Sequence, residues 1–326
     1  NVLITGITGM VGSHLAEYVL ENHPEAQVHG LTRWRSPLDN IRGIQDKVIL
    51  HNADLRDLNS MIGLIDQVKP EKIFHLAAQS YVTVSFNTPA DTLTTNIIGT
   101  TNLLDAVRIT GIDPMIHICS SSEVYGQVRA DEVPINESNP FRPASPYAVS
   151  KVGEDMIALQ YFLSYGIKTV RTRMFTHTGP RRGDVFAESA FAKQIAEIEA
   201  GTRDNPMRVG KLDSVRTLAD VRDCVKAYWL LLEKCEPGEV YNIGGVETMK
   251  ISDILITLAS FVDCEIRHEV DPSLLRPSDV TLQIPDISKF QEMTGWKPEI
   301  PIETTMLDLL NYHRNRIAKN SEGATV

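Results

Sequence analysis

The stretch Val2-Leu3-Ile4-Thr5-Gly6-Ile7-Thr8-Gly9-Met10-Val11-Gly12 decides the fold of this chain. Val2–Thr5 predicts a short buried strand, and three glycines spaced G-x-x-G-x-x-G follow it directly. In a strand–turn–helix unit such glycines allow a tight turn, close approach of the backbone to a pyrophosphate, and close packing of helix on strand. The helix N-terminus adds unpaired N–H groups and the positive end of its dipole. The stretch therefore predicts a dinucleotide-binding turn formed by Gly6, Thr8, Gly9, Met10, Val11 and Gly12.

Short β-branched runs alternate with amphipathic stretches through the first half of the chain. The predicted strands are Val2–Thr5, Gln27–Leu31, Val48–His51, Ile73–Leu76, Met115–Cys119 and Thr169–Met174. The predicted helices are Met10–Glu21, Leu58–Val68, Ala90–Ile109 and Tyr147–Tyr165. This alternation predicts an α/β fold with a Rossmann-type, doubly wound parallel sheet.

After about residue 175 the pattern changes to helices separated by short strands and proline-rich loops. The predicted helices there are Ala187–Ala200, Ala219–Lys234, Ile251–Phe261, Ile287–Thr294 and Ile302–Ile317. We therefore expect a cofactor-binding domain over residues 1–175 and a smaller C-terminal α/β substrate lobe over residues 176–326. The segment near residues 219–245 is a candidate for return to the first domain.

Composition excludes several classes of protein. The chain has 326 residues, 42 acidic and 32 basic, and its formal net charge of -10 argues against nucleic-acid binding. It has no apolar run of 18 residues and no signal peptide, so we expect a cytoplasmic protein with no membrane span. Its four cysteines (Cys119, Cys224, Cys235 and Cys264) form no C-x-x-C pair. They predict buried free thiols and no metal site.

The end of the second predicted strand indicates which dinucleotide is bound. An acid there would hold the ribose hydroxyls of NAD, whereas an arginine accommodates the extra phosphate of NADP. The stretch Leu31-Thr32-Arg33-Trp34-Arg35-Ser36 offers two arginines and no acid, so we expect NADP. Asp54 is expected near the adenine, with a helix cap as the alternative role. The other expected cofactor contacts are Leu55, Leu76, Ala77 and Ala78.

Tyr147 and Lys151 are candidate catalytic residues. They lie four residues apart in a predicted helix, so their side chains share one face. A tyrosine has an ordinary pKa of about 10, and a neighbouring ammonium group favours its phenolate. Such a pair can take a proton from a sugar hydroxyl while a hydride passes to the nicotinamide.

With these elements, the stretch Ser120-Ser121-Ser122-Glu123-Val124-Tyr125-Gly126 resembles the extended short-chain dehydrogenase/reductase superfamily. The resemblance implies that Ser121 hydrogen-bonds an oxygen of the sugar, and that Tyr147 and Lys151 also contact the cofactor. Many epimerases of this superfamily carry a non-acidic residue where this chain has Glu123. An acid there implies a base beside the sugar ring.

Further segments resemble the GDP-mannose 4,6-dehydratase family. Within that family they resemble most the branch that acts on GDP-manno-heptose in bacterial capsule or surface-polysaccharide pathways. They include residues 76–82, 179–186, 210–216, 275–280 and 294–298. The resemblance implies a GDP-sugar substrate, a homodimer or homotetramer, and a set of substrate-binding residues. These are Ser80, Ser85, Thr176, Arg181, Arg182, Lys193, Arg216, Arg276 and Asp279. The chain departs from the family at Ser121, where threonine is usual, and at Thr176, where asparagine is common.

The resemblance implies that Tyr147 takes the carbon 4 hydroxyl proton, Glu123 takes the carbon 5 proton, and a hydride moves internally from carbon 4 to carbon 6. The alternatives are a GDP-4-keto-6-deoxy sugar reductase or epimerase, a UDP-glucuronate decarboxylase, and an inactive NADP-sensing scaffold. The arginines have an alternative role as well, in surface salt bridges with the abundant acids.

Overall fold

The computed structural model describes residues 1–275, 277 and 280–323, and its centre is one sheet of seven parallel strands. These strands are β1 (Val2–Thr5), β2 (Val28–Thr32), β3 (Ile49–Asn52), β4 (Lys72–His75), β5 (Met115–Ser121), β6 (Thr169–Met174) and β11 (Val240–Ile243). The short strands outside it are β7 (His177–Thr178), β8 (Met207–Val209), β9 (Val215–Thr217), β10 (Ala219–Asp220), β12 (Thr248–Lys250), β13 (His268–Val270) and β14 (Leu282–Gln283).

Helices cover both faces of the sheet and form most of the C-terminal part. The first six are α1 (Met10–Asn22), α2 (Leu58–Val68), α3 (Val82–Asn87), α4 (Pro89–Leu93), α5 (Gly99–Thr110) and α6 (Pro146–Tyr165). The others are α7 (Ala187–Glu199), α8 (Val221–Lys234), α9 (Ile251–Ala259), α10 (Ser288–Thr294) and α11 (Ile302–Gly323).

The strand order is β11-β6-β5-β4-β1-β2-β3. Strands β2 and β3 are added on one side of β1 and the later strands on the other, so the topological switch point lies between β1 and β4. In open parallel sheets, ligands bind outside the carboxyl ends of the strands at such a switch point. The glycine-rich turn follows β1, and the stretch from Ser120 to Gly126 begins at the end of β5. Both therefore lie at this edge of the sheet. The predicted doubly wound parallel sheet is confirmed.

Two apolar layers hold the helices on the sheet. On one face α1 and α8 bury Leu15, Val19, Tyr228 and Leu231 against the strands. On the other face α2, α5 and α6 bury residues that include Met61, Leu103 and Ala158. A third core joins α7, α9 and α11 in the C-terminal part. Burial of these side chains is the main force that fixes the carboxyl edge in place.

The chain returns to the large sheet after residue 220. Helix α8 packs on α1, and β11 pairs with β6 at the sheet edge. Phe290 of α10 and Trp296 are buried in the same core as α8. Helix α8, β11, α10 and Trp296 therefore pack with the large sheet although they follow residue 175 in the chain. The division into domains stays a prediction.

The predicted helix Ala90–Ile109 is wrong as a single element. It consists of α4, a π-helical turn at Thr94–Ile98 and α5. Asn96 in that turn accepts from the backbone N–H of Gln79 at 2.8 Å and donates to Gln79 O at 3.1 Å and Ser150 Oγ at 2.8 Å. These bonds to residues outside the helix account for the local change of helical pitch.

The predicted start of the helix at Ala219 is also wrong, because Ala219–Asp220 forms β10 beside β7. The Asp220 side chain caps α8 by accepting the N–H of Arg222 at 2.7 Å. The last helix continues six residues past the predicted Ile317. The other predicted elements end within two residues of the observed ones. Of the four thiols, Cys224 and Cys235 are buried, Cys119 is half-buried and Cys264 is exposed, so the expectation of four buried thiols is wrong for the last.

Candidate active site

A cleft of about 1640 Å³ runs along the carboxyl edge of the sheet and under the C-terminal lobe. Pockets for single small ligands usually measure about 300–1,000 Å³. The volume therefore suits two ligands lying end to end. Its lining includes the glycine-rich turn, the residues after β5, Tyr147 and Lys151 of α6, and several arginines of the lobe.

The glycine-rich turn forms one end of this cleft. Gly6 has a φ of 73°, in the left-handed region that favours glycine. A Cβ on Gly12 would overlap the carbonyl oxygen of Gly6, so only glycine fits there. Helix α1 has neither a side-chain cap nor an acid in its first turn, which leaves its N–H groups available to an anion. This turn fits the pyrophosphate of a dinucleotide.

Two arginines lie at the adenosine end of the cleft. Arg33 is exposed after β2, and Arg56 forms an ion pair with Asp54 whose nitrogen–oxygen distance is 2.8 Å. The hydrogen bond from Arg56 lowers the pKa of Asp54, which stays ionised. Arg35 lies over the ring of Trp34 at 4.1 Å and lines a smaller pocket beside Arg33. A cluster of cations around one paired acid suits an additional phosphate on the ribose.

The remaining expected cofactor contacts also line the cleft. These are Thr8, Gly9, Met10, Val11, Leu55, Leu76, Ala77 and Ala78. Sequence reasoning missed Arg56 and Asn40, whose amide donates to Thr8 O at 2.9 Å and holds the glycine-rich turn. The D-x-R spacing of Asp54 and Arg56 is a signal that could have pointed to Arg56. Asn40 carries no comparable signal.

The catalytic candidates meet in the middle of the cleft. Ser145 caps α6 by accepting the N–H of Ala148 at 3.0 Å, which places Tyr147 and Lys151 one turn apart. Ser121, at the end of β5, lines the same cleft as Tyr147, and its hydroxyl acts to lower the pKa of the phenol. The Ser121 hydroxyl also accepts the N–H of Glu123 at 3.2 Å. All four predicted catalytic residues thus line one cleft.

Lys151 completes the group from within the protein. Its Nζ lies 5.9 Å from the centre of the Tyr147 ring and donates to Cys119 O at 2.9 Å and to Glu154 at 2.8 Å. Burial raises the pKa of Tyr147, while the Lys151 charge and the Ser121 hydrogen bond act to lower it. Burial lowers the pKa of Lys151, but the Glu154 carboxylate and the Tyr147 phenol outweigh it and hold the amine protonated. The ammonium therefore offsets only part of the cost of a buried phenolate.

The sugar and nucleotide end is lined by most of the predicted substrate-binding residues. These are Ser80, Thr176, Arg181, Arg182, Lys193 and Arg216. Ser85 does not share this position, since it is fully buried in α3 and donates to Val82 O at 2.6 Å. Arg276 and Asp279 lie outside the described residues.

The arginines of this end have different partners. Arg216 is buried at 8% exposure and donates to the carbonyl oxygens of Val215, at 3.0 Å, and Val280. Its charge is therefore not exposed on the protein surface. Arg181 has a φ of 72° and forms an ion pair with Glu17 of α1 at 2.6 Å.

Arg182 pairs with Glu188 at 3.2 Å and lies over the Phe186 ring at 3.6 Å. Lys193 pairs with Asp184. Sequence reasoning missed three further cations in the lining, Arg203, Arg208 and Lys211.

In the part of the chain that the structure describes, no three His, Cys, Asp or Glu side chains are grouped so that they could hold a metal ion.

No helix within the described residues has the length and apolar character needed to cross a membrane.

The chain is similar to known nucleotide-sugar enzymes over nearly its whole length. The family model for GDP-mannose 4,6 dehydratase matches residues 3–309. A GDP-mannose 4,6-dehydratase of Yersinia enterocolitica is 34% identical, over 94% of this chain and 92% of the relative. A GDP-6-deoxy-D-mannose reductase of Pseudomonas aeruginosa is 33% identical, over 97% of this chain and 98% of the relative.

Among solved structures, RMD from Pseudomonas aeruginosa complexed with NADPH superposes with a TM-score of 0.84 at 32% identity, over 97% of this chain and 99% of that one. The UDP-glucose 4-epimerase of Thermus thermophilus in complex with NAD gives 0.85 at 27% identity, over 96% and 98%. The scaffold is therefore shared by dehydratases, reductases and epimerases of nucleotide sugars.

Proposed function

Because this chain belongs to the GDP-mannose 4,6-dehydratase family, we propose that it is an NADP-dependent 4,6-dehydratase of a GDP-manno-configured sugar. The substrate is GDP-mannose or GDP-manno-heptose, and the product is the 4-keto-6-deoxy sugar. The single observation that carries this proposal is the meeting of Ser121, Glu123 and Tyr147 in one cleft, with Lys151 behind the phenol.

Each catalytic side chain has one task in this proposal. Tyr147 takes the proton of the carbon 4 hydroxyl, and Ser121 hydrogen-bonds the same sugar oxygen. The ketone acidifies the carbon 5 proton, which Glu123 removes and then gives to the hydroxide that leaves carbon 6 as water. Carbon 5 regains a proton from solvent when the hydride reaches carbon 6, and Tyr147 releases its proton to solvent. The glycine-rich turn and Arg33 would hold NADP, which would supply the acceptor for the carbon 4 hydride and the donor of that hydride to carbon 6. The cleft between sheet and lobe shields these steps from bulk water.

Glu123 separates this reaction from its nearest alternative. A GDP-4-keto-6-deoxy sugar reductase needs a proton donor at oxygen 4 but no base at carbon 5. Glu123 in the cleft lining, two residues after Ser121, therefore favours the dehydratase, although the scaffold is shared with a reductase. The family match with the GDP-mannose enzymes argues against a UDP-glucuronate decarboxylase, and the intact catalytic group argues against an inactive scaffold.

The test is incubation of the pure protein with NADP and each of the two GDP sugars, followed by mass spectrometry of the nucleotide sugars. We expect a product lighter by one water with one of them and no net reduction of the cofactor. Loss of absorbance from added NADPH with a 4-keto-6-deoxy substrate, without any dehydration, would instead favour the reductase.

Cofactor preference gives a separate prediction. The exposed Arg33 guanidinium at the adenosine end suits the ribose phosphate, and a charge-assisted hydrogen bond contributes about 1.5–3 kcal/mol. Fluorescence titration should show NADPH binding about 10- to 100-fold more tightly than NADH, and Arg33→Ala should remove most of that difference. Arg42→Ala is the matched control, because Arg42 is exposed, pairs with Asp39 and lies outside the cleft lining. Equal affinity of the parent for NADH would contradict the assignment of NADP.

An exposed apolar stripe on α5 and α6 supports the proposed homo-oligomer. Val149, Met156 and Leu163 recur every seven residues on α6, so they share one face, and Leu163 is 72% exposed. Ile109 on the neighbouring α5 is 49% exposed. Two copies of this face would bury the stripe in a four-helix contact around a twofold axis.

Leu163→Glu should therefore shift the protein toward the monomer in light scattering at micromolar concentration, because it places a carboxylate in an apolar contact. Ile256→Glu on α9 is the control, since Ile256 is equally exposed but lies on the other lobe. An unchanged mass for Leu163→Glu would mean that this face does not form the contact.

A further inference from the structure

Glu154 is a buried acid beside the catalytic group to which the proposed reaction gives no task. It lies on α6 three residues after Lys151 and is 1% exposed. Its Oε2 accepts from Lys151 Nζ at 2.8 Å, while its Oε1 is buried without a hydrogen-bond partner among the described residues. Burial of a half-satisfied carboxyl costs free energy, so this position calls for an explanation.

The next residue shows what a structural acid at this depth looks like. Asp155 is also fully buried, but both of its oxygens are used. They accept from Arg171 and Arg173 of β6, each at 2.8 Å. Asp155 thus ties α6 to the sheet. Glu154 adds no comparable link, since its hydrogen bond within the described part of the chain is to Lys151 of the same helix.

Lys151 has one positive charge and two acidic neighbours. Two of its three ammonium protons are donated, one to Glu154 and one to Cys119 O. The centre of the Tyr147 ring lies 5.9 Å from Nζ. Two anions beside one ammonium would leave a net negative charge on three buried side chains, which burial disfavours.

We propose that Glu154 is a positioning residue that competes with the Tyr147 phenolate for the charge of Lys151, and so sets the pH at which Tyr147 becomes a base. The inference rests on the proposed function, in which Tyr147 is that base. While Glu154 is ionised, the phenol keeps its proton more firmly. When Glu154 is neutral, the phenolate is the only anionic partner left to Lys151.

The electrostatics agree in direction. Burial raises the pKa of Glu154 to about 7, against the pull of Lys151, so its charge changes near neutral pH. Burial raises the pKa of Tyr147, Lys151 opposes this, and the charge of Glu154 adds to the rise. The carboxyl thus titrates where the enzyme would work, and its ionisation acts against that of the phenol.

Other titratable groups around the pair leave this competition in place. Asp155 on the same helix adds to the rise in the pKa of Glu154. On β5, burial raises the pKa of the Cys119 thiol, which contacts Tyr228 of α8 at 3.4 Å. His75 of β4 and His117 of β5 have pKa values of about 3 because they are buried, so both are neutral near pH 7.

The test follows the Tyr147 phenolate directly by ultraviolet difference titration, with Tyr147→Phe as the baseline and without substrate. Glu154→Gln keeps the hydrogen-bonding capacity of the side chain and removes its charge. Glu154→Leu removes the unpartnered polar atom as well and is the second variant if the amide folds poorly. Glu154→Gln and Glu154→Leu should each lower the midpoint of phenolate formation by about one to two pH units. This is the size expected when one charge near a buried phenol is removed. Glu154→Asp should restore most of the parental midpoint.

The acid limb of the pH profile of kcat/KM should move down with the phenolate midpoint in Glu154→Gln. An unmoved midpoint and unmoved pH profile in a folded Gln or Leu variant, with only a lower melting temperature, would reduce Glu154 to a structural role and overturn the proposal. The titration needs no turnover, so the midpoint of phenolate formation can be measured even if neither GDP sugar is dehydrated. Failure of the proposed function and failure of this inference therefore give different results.

Discussion

Glu123→Gln is expected to slow formation of the 4-keto-6-deoxy product by about 10²–10⁴-fold, the usual contribution of a general base. Elimination across carbons 5 and 6 cannot begin until the carbon 5 proton leaves, and an amide cannot take that proton. Tyr147, Lys151 and Ser121 remain in place, so oxidation at carbon 4 should still occur. The variant should therefore accumulate reduced cofactor on the enzyme, visible by its absorbance.

Two measurements accompany this variant. In heavy water the parent should place deuterium at carbon 5 of the product, as shown by mass spectrometry. Asp131→Asn is the matched control, because Asp131 is exposed, pairs with Arg129 and lies outside the cleft lining. If Glu123→Gln forms product at nearly the parental rate, Glu123 is not the carbon 5 base and the reductase becomes the better hypothesis.

Arg216→Ala is expected to weaken GDP binding by about 2–5 kcal/mol, or about 30-fold to several thousand-fold in Kd. Arg216 is buried in the cleft, and its guanidinium is held by carbonyl oxygens of Val215 and Val280. A cation fixed in this way is preorganised for a diphosphate, and its removal would leave the phosphate charge buried without a partner. Isothermal titration calorimetry with GDP measures the effect.

The control for this prediction is Arg267→Ala, since Arg267 is exposed on the same lobe and pairs loosely with Glu265 at 4.0 Å. Arg216→Lys should recover only part of the affinity, because an ammonium lacks the planar fork of a guanidinium. Circular dichroism should show that the alanine variant is folded. Unchanged GDP affinity in a folded Arg216→Ala would mean that the diphosphate is held elsewhere in the cleft.

The first half of the fold could be predicted because its signals are local. Val2–Thr5 and Gly6 to Gly12 specify a strand, a turn and a helix through backbone geometry that only glycine permits. Apolar periodicity then located the other strands and helices within two residues, apart from the elements corrected above. The π-helical turn at Thr94–Ile98 escaped prediction because its cause is a side chain, Asn96, bonded to residues distant in the sequence.

The catalytic candidates also followed from the sequence, because Tyr147 and Lys151 share a helix and Ser121 and Glu123 share a strand end. Their position in one cleft depends on the packing of α6 against β5, and no local sequence pattern specifies that packing.

The substrate end was predicted less completely, since its residues come from many separate loops. Family resemblance located Arg216, but whether its charge faced solvent or the cleft depended on tertiary burial.

The sequence by itself determined the parallel sheet, the dinucleotide-binding turn and the candidate catalytic residues. These depend on glycine geometry, on short-range periodicity and on residue types at fixed spacing along one element. Only the tertiary structure decided that Arg181 pairs with Glu17 of α1, that the Asp54–Arg56 pair lies in the cleft, and that the Lys151–Glu154 pair is buried. Ion pairs and burial depend on distances between elements, and in water an exposed charge has many possible partners. Packing of the helices and lobe on the sheet removes that freedom and leaves each charge only the partners that lie beside it.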